Sequence, residues 1–369
     1  MNGMILLLIE PSQIRLAGVF FYKRGIKEMN EKIFTDYNER IDILRNRNMT
    51  INKRSSIHRN VIKNYNYYNV INAYKDLFLE VITPEEKYKS GTTPDQLLAL
   101  YKFDENLRII LLRYILQIEE KIKHHITQSF FGHFSSSEQL TDIEKQELHR
   151  DTAYLNINYY DISSKEKSVT YSKFQRIVNN MIGRHYDKDN SSIKKYKDEH
   201  QYIPMWVLFN ILMFGNISKY FTILKKEIKK DVMKQLGVTW TFQIEEETIN
   251  QFESTLEILT LARNICAHNE RLYCFQHNIV LKDRFLSFRN ALPQPQDVKF
   301  KNRTTMKYSI YSVLFLVSNF INEREKRLML KEIDKEIQYL DKKLHTISVD
   351  DVLRYMNMNH NWYEKLLKV

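Results

Sequence analysis

The sequence predicts an all-α protein, and three observations carry that expectation. Glycine and proline are scarce, at 8 and 6 of 369 residues. Apolar residues recur at helical spacing through several long stretches. Strand-like alternation is weak throughout. Sandwiches and barrels need many tight turns, and tight turns draw on Gly and Pro. Nucleotide folds of the dinucleotide or phosphate-loop type need glycines at fixed positions, and no such run occurs. A hydrophobic share of 43% is ample for a sizeable core.

Met1 to Glu10 holds a short apolar run, Met4 to Ile9, with no basic residues ahead of it. It is too short to span a bilayer and lacks the form of a secretory signal. Residues 1–28 read as an extension unlike the rest of the chain, with Met29 a candidate second start. From Glu31 the pattern turns helical. The Tyr- and Asn-rich stretch between Ile57 and Phe78 suits a helix start or a packed turn better than a strand. Ser90-Gly91-Thr92-Thr93-Pro94-Asp95 is the clearest helix start. Thr93 can accept from first-turn amides, Pro94 fits the first helical position, and Asp95 favours the positive helix end. Leu97, Leu100, Leu107, Ile110, Leu111, Ile115, Ile118 and Ile122 then predict one long helix fading near Gly132.

Residues 133–170 are mixed and polar, with loops marked by Ser135-Ser136-Ser137 and Ser163-Ser164. Residues 185–200 carry no sustained apolar period. Pro204 opens another helix with Trp206, Val207, Phe209, Leu212, Met213 and Phe214 as its apolar face, and Gly215 marks a close backbone approach or a bend. Residues 245–273 read as a single helix. Residues 306–345 make one or two more, with Leu330, Ile333, Ile337, Leu340 and Leu344 in heptad-like order. A helical tail runs from Val349 to Leu367. The chain therefore divides as an extension over 1–28, an N-terminal helical part over 29–200, a motif-bearing part over 201–345 and a tail over 346–369.

The net charge of +11 suggests a polyanionic partner, nucleic acid or less often an anionic membrane surface. Solubility alone is the plainer alternative. Two cysteines, Cys266 and Cys274, cannot make a thiolate zinc site or a disulfide framework. They read as packing residues in a reducing, cytoplasmic setting. No metal and no cofactor is expected.

The candidate chemistry lies in Arg263-Asn264-Ile265-Cys266-Ala267-His268. On a continuous helix, Asn264, His268 and Arg271 share one face, while Arg263 lies about 100° from it. Arg presents an always-charged fork suited to phosphate, and His exchanges a proton near neutral pH. Asn264 can bond the ring of His268 and set its tautomer. Together they suit RNA cleavage by the ribose 2′-OH, with His268 as general base or acid and Arg263 stabilising the phosphoryl oxygens. An Arg and a His five apart also occur by chance on surface helices.

These residues stand within a longer likeness. The R-N-x-x-x-H core and the Asn269-Glu270-Arg271-Leu272-Tyr273 run after it resemble the Abi-like (AbiD/AbiF) abortive-infection family, whose members carry an HEPN ribonuclease motif. Asn66 to Tyr74 resembles that family's N-Y-Y segment. Tyr88 to Thr93 resembles its Y-x-S-G-T-T block, and Leu100 to Arg108 its L-Y-x-F-D-x-x-L-R block. Ile118-Glu119, Pro204 with Trp206, and Phe214-Gly215 match further blocks in order. The chain departs from the pattern at Asn69, Asn72, Asn210 and the tail asparagines. The resemblance implies an HEPN-like helical bundle with additional helices, a role in phage defence, restraint by an RNA or protein antitoxin, and a composite site from two copies. One motif per chain then points to a homodimer.

Lys121, Lys123, His124 and Arg271 are candidates for RNA contact, the first three as a basic face of the long helix. A metal pair at His124-His125 is disfavoured, because adjacent residues point to different faces. Asp104 and Arg108, four apart, read as a structural ion pair. Glu119, inward among isoleucines, either pairs with a buried Arg or lies near the site. The tyrosines at 65–68 read as packing or base-stacking rings. The leading reading is a metal-independent endoribonuclease toxin. Its rival is a protein of the same fold that grips a structured RNA without cutting.

Overall fold

A computed structural model describes residues 34–135, 140–238, 245–292 and 303–369. The expected extension at 1–28 lies outside them, as do Ser136 and Ser137. The first two helices are α1 (Tyr37–Asn46) and α2 (Ser56–Asn64), followed by a π-turn at Tyr68–Asn72 and a 3-10 turn at Asp76–Phe78. A short antiparallel pair, β1 (Leu79–Val81) and β2 (Lys87–Tyr88), is the one small sheet among the described residues. Then come α3 (Pro94–Ser135), α4 (Asp142–His149), α5 (Lys165–Tyr186) and α6 (Ser192–His200). The middle of the chain holds α7 (Met205–Ile211), α8 (Phe214–Thr222), α9 (Lys226–Gln235) and α10 (Glu245–Ala267). The last helices are α11 (Arg303–Met306), α12 (Ile310–Phe320), α13 (Glu323–Asp341), α14 (Val349–Tyr355) and α15 (Trp362–Leu367). The protein is all-α, as its sequence predicts.

Helix α3 is the spine. Its 42 residues extend about 63 Å at the usual rise of a helix. It packs against α2, α7, α9, α10, α12 and α13. Leu97, Leu100, Leu107, Leu111, Ile115, Ile118 and Ile126 are fully buried along it. Pro94 takes the first helical position as expected. Thr93 departs from expectation: its hydroxyl accepts from the Gln96 side chain at 3.2 Å. Gln96 is itself buried and fastens the start of α3 elsewhere. Its Nε2 donates to the Gly91 carbonyl, and its Oε1 accepts from the His345 and Thr346 amides at 2.8 and 2.9 Å. The link between α13 and α14 is thereby tied to the start of the spine.

Local sequence explains most other boundaries. Asp36 with Glu39, Thr141 with Glu144, Asn322 with Glu325 and Ser348 with Asp351 form reciprocal capping boxes. The heptad-like positions Leu330, Ile333, Ile337, Leu340 and Leu344 are all buried. Gly215 serves close approach: a Cβ there would meet Thr260 of α10 at 3.3 Å.

Three elements differ from expectation. Helix α5 buries Tyr171, Phe174 and Val178 within a stretch whose polar residues conceal the period. Helix α6 forms where no apolar period exists, because it buries only Ile193 and is capped by Ser191. The helix opened by Pro204 breaks at Leu212, whose backbone is extended, and α8 restarts with Asn216 accepting from the Met213 amide. Two expected core residues face outward, Trp206 49% and Met213 62% exposed.

Asp151, ahead of the first 3-10 turn after α4, holds the start of α7. Its carbonyl accepts from the Met205 amide at 3.0 Å and its Oδ2 from the Trp206 amide at 3.4 Å. Its Oδ1 is buried without a partner. Burial pushes this carboxyl up to about 7, against the two amide contacts. Between the ordinary carboxylate value and about 7, the folded chain keeps a proton that the unfolded chain releases. The resulting stabilisation is complete in acid and is lost as pH rises through about 7. Asp151→Asn is therefore expected to raise the melting temperature at pH 8, with the gain shrinking toward pH 4. Circular-dichroism melts at the two pH values check this.

Candidate functional site

Helix α10 begins with Glu245, Glu246 and Glu247, acidic residues that suit the positive end of a helix. Ile258 and Ala262 are buried, while Leu261 and Ile265 are partly buried against the core. The helix ends at Ala267, six residues earlier than the sequence predicts. The close is of the Schellman type. The His268 amide returns to the Asn264 carbonyl at 2.9 Å, the Glu270 amide reaches the Ile265 carbonyl at 3.2 Å, and Asn269 takes φ 57°. Asn tolerates that left-handed conformation better than most residues.

The turn is held from outside by α3. Arg108 donates to Asn269 Oδ1 at 2.6 Å, to the Glu270 carbonyl at 3.0 Å and to Asp104 Oδ2 at 2.6 Å. Asp104 in turn accepts from the Tyr273 amide at 2.7 Å, the Leu272 amide at 3.2 Å and the Tyr74 hydroxyl at 2.6 Å. Both members of the pair are buried. Burial raises the Asp104 carboxyl above its ordinary range, while Arg108 and the three other donors oppose the rise. The expected ion pair thus forms, and it also anchors the chain just past the motif. Beside it, Tyr273 stacks between Tyr74 and Tyr355, with ring centroids at 5.3 and 5.4 Å.

Because the helix stops, the expected shared face of Asn264, His268 and Arg271 is not formed. Arg271 lies beyond the turn and is committed elsewhere, donating to the Ala73 carbonyl at 2.5 Å and lying 3.4 Å from Asp76. His268 and Asn264 are both exposed. Among the described residues the His268 ring makes no hydrogen bond, so the expected bond from Asn264 to that ring is absent. Only their backbones meet.

Arg263 turns inward toward α3. Its Nε lies 3.8 Å from Glu119 Oε2, and its side chain is 25% exposed. Both of those atoms are buried and neither makes a hydrogen bond. The other oxygen of Glu119 pairs with Lys123 at 2.8 Å, and Lys123 also lies 3.6 Å from Glu120. Glu119 thus faces an Arg, though a partly exposed one where a buried one was expected, and that Arg is the candidate Arg263. Lys123 is a correction, since it is buried and neutralised instead of facing a ligand. Lys121 is partly committed as well, donating to the Phe320 carbonyl at 3.3 Å. His124 is exposed, and its ring meets that of His125 at 5.4 Å.

Burial pushes the Cys266 thiol up to about 12 and that of Cys274 to about 11. Both are packing residues. A cleft of about 770 Å³ lies away from the motif, lined by α5, α8, α9 and the first half of α10. No residue of the motif reaches it.

The profile of the Abi-like protein family matches residues 60–274. The chain belongs to the Abi-like family. The matched region runs from α2 to just past the motif turn, so it contains both the Asp104–Arg108 clamp and the Arg263–His268 segment. Membership associates the chain with abortive infection. No curated protein matches, and no solved structure matches.

The sequence reading missed the early end of α10, although Asn269 carries the signal: Asn is a frequent residue at the left-handed position closing a helix. It also missed the grip of Arg108 on that turn, for which nothing local gives notice. Arg108→Ala leaves Asp104 as an uncompensated buried charge and frees the Asn269 turn. The expected loss is about 3–5 kcal/mol of unfolding free energy, read by urea denaturation.

Proposed function

We propose that this Abi-like protein is an abortive-infection endoribonuclease whose reacting groups are His268 and Arg263. The observation that carries the reading is the contrast in commitment around the motif turn. Asp104, Arg108, Arg271 and Lys123 are all tied to protein groups, whereas the His268 ring is exposed and unpartnered. Arg263 is held at its Nε side by Glu119, and its two terminal nitrogens make no hydrogen bond among the described residues. The clamp fixes the turn that follows His268, and Arg263 lies five residues before it on the same helix; an imidazole can move a proton and a guanidinium can meet a phosphate, which suits phosphodiester transesterification.

In that reaction the ribose 2′-oxygen attacks the adjacent phosphorus, and the bond to the 5′-oxygen breaks. A base removes the 2′ proton, and an acid protonates the departing 5′-oxygen. The products are a 2′,3′-cyclic phosphate and a 5′-hydroxyl. Arg263 stabilises the charge that develops on the phosphoryl oxygens. Two proton transfers call for two proton carriers, and the motif offers one imidazole per chain. A homodimer that brings two motif turns to one phosphodiester supplies both. The restraining partner in the cell is an antitoxin, RNA or protein. Asn264, exposed beside His268, contacts the RNA without setting the ring's tautomer.

His268→Ala is expected to lower the cleavage rate by about 10²–10⁴ while leaving RNA affinity within a few-fold. Cleavage is read from RNA ends by gel, and a 2′-deoxy nucleotide at the scissile position stops it. A wild-type protein that binds RNA and never cuts it would leave only the RNA-gripping reading. A monomer in solution that still cleaves overturns the paired site.

Glu119 acts here as a positioning residue for Arg263. Removing its charge beside two cations favours RNA binding on electrostatic grounds alone. Positioning makes the opposite demand on the rate. Glu119→Gln is expected to lower kcat about tenfold or more with KM unchanged or reduced. In the Arg263→Ala background the same substitution is expected to have little further effect, a coupling that a double-mutant cycle reads.

A further inference from the structure

A second feature of the surface lies far in sequence from the motif, where α6 meets α7. Trp206 stands 49% exposed in the first turn of α7. Tyr196 of α6 meets it edge-on, with centroids 5.2 Å apart and planes at 89°. His200 lies 5.2 Å from Tyr196, four residues on along the same helix face, and Tyr202 lies 6.0 Å from His200. Gln201 closes α6 in the left-handed conformation, φ 66°, and so folds Tyr202 back toward these rings. Arg150 sits 5.6 Å over the ring of Tyr202. Four rings thus form a contiguous chain in which Trp206 and His200 are exposed and Tyr196 and Tyr202 are partly so. None of the three pairs is stacked face to face. An indole half in water contributes little to folding, so the core does not account for its place.

The charges around the rings divide unevenly. Lys194 pairs with Asp189 at 3.3 Å, and Glu199 lies 3.8 Å from His200. Asp198 accepts from the Tyr186 hydroxyl at 2.8 Å, and Lys197 lies 4.9 Å from the Tyr186 ring. Arg150, Lys195 and Lys197 have no ion-pair partner among the described residues. A phenol and a neutral imidazole cancel no charge, so three unpaired cations stand against the carboxylates of Asp198 and Glu199, a surplus of one positive charge. Open aromatic rings interleaved with free cations suit a strand of nucleotides: unpaired bases stack on the rings and phosphates meet the cations. A duplex hides its base faces and cannot use such a surface. A purely apolar protein partner leaves the cations unmatched.

We propose that Trp206, Tyr196 and Tyr202, flanked by Arg150, form a stacking platform for unpaired bases of single-stranded RNA. The proposal rests on the reading of RNA as the ligand, and it adds a second contact region that fixes the strandedness of the substrate. Binding at the platform does not require cleavage, so the two readings can fail separately.

The test uses the full-length His268→Ala protein, which leaves the probe intact, with a ten-nucleotide oligouridine and an RNA duplex of equal length. The single strand is expected to quench tryptophan emission and the duplex to leave it nearly unchanged. Trp206→Phe is expected to remove most of the quench while holding affinity within a few-fold. Trp206→Ala is expected to weaken binding roughly five- to 150-fold by anisotropy, the range of a single ring–base stack. Arg150→Glu, at an exposed position, is a second variant expected to weaken binding and flatten its salt dependence. If Trp206→Ala and Arg150→Glu both bind the oligouridine as tightly as the His268→Ala parent, the platform is overturned while the motif reading stands. Preference for the duplex overturns it as well. A wild-type protein that never cleaves, together with a quench that depends on Trp206, leaves the platform standing and removes the nuclease.

Discussion

A carboxylate offers about four places for a hydrogen-bond donor, and Asp104 fills its own from separate stretches of chain. Tyr74 donates from the segment before the hairpin, Arg108 from the next turn of the same helix, and Leu272 and Tyr273 from beyond the motif. Removing a charge from water is costly, and the loss is offset only where the remaining lone pairs are occupied. Asp104 meets that condition, and Arg108 carries the same restraint to Asn269 and Glu270. The left-handed residue that ends α10 is thus fixed by a group on α3. The position of His268 depends on it.

The spine presents charge to α10 a second time, about four turns further along, and in a different manner. At Asp104 every donor is met. At Glu119 one oxygen is paired with Lys123, and the other faces Arg263 at 3.8 Å with no hydrogen bond on either side. Unsatisfied buried polar atoms cost about 1–3 kcal/mol each. One clamp is closed and structural. The other leaves a buried Nε and a buried carboxylate oxygen facing each other without a hydrogen bond, beside a guanidinium whose side chain is a quarter exposed.

Several of the cations are committed to the fold and add nothing to the surplus. Lys123 and Lys229 are buried in ion pairs, Arg108 is consumed by the turn, and Arg271 caps the carbonyl of Ala73. A basic total therefore attracts polyanions at long range without naming the residues that touch them. Burial sorts the cations into those that hold the fold and those left for solvent or ligand, and Arg150, Lys195 and Lys197 belong to the second group.

Much of the fold was legible in the chain because it rests on short-range rules. Scarce Gly and Pro, the start at Pro94, the heptad positions of α13 and the close approach at Gly215 are local in origin, and they are found in place. The site was legible as a set of residue types, and less so as a geometry. Periodicity tells which face of a helix is apolar, but it is silent on which neighbour covers that face and on where a distant side chain ends the helix. The sequence by itself determined a helical chain carrying an Arg-Asn-x-x-x-His run. Tertiary structure decided that α10 stops at Ala267 and that Arg271 serves the protein, because each outcome depends on contacts between residues more than a hundred positions apart.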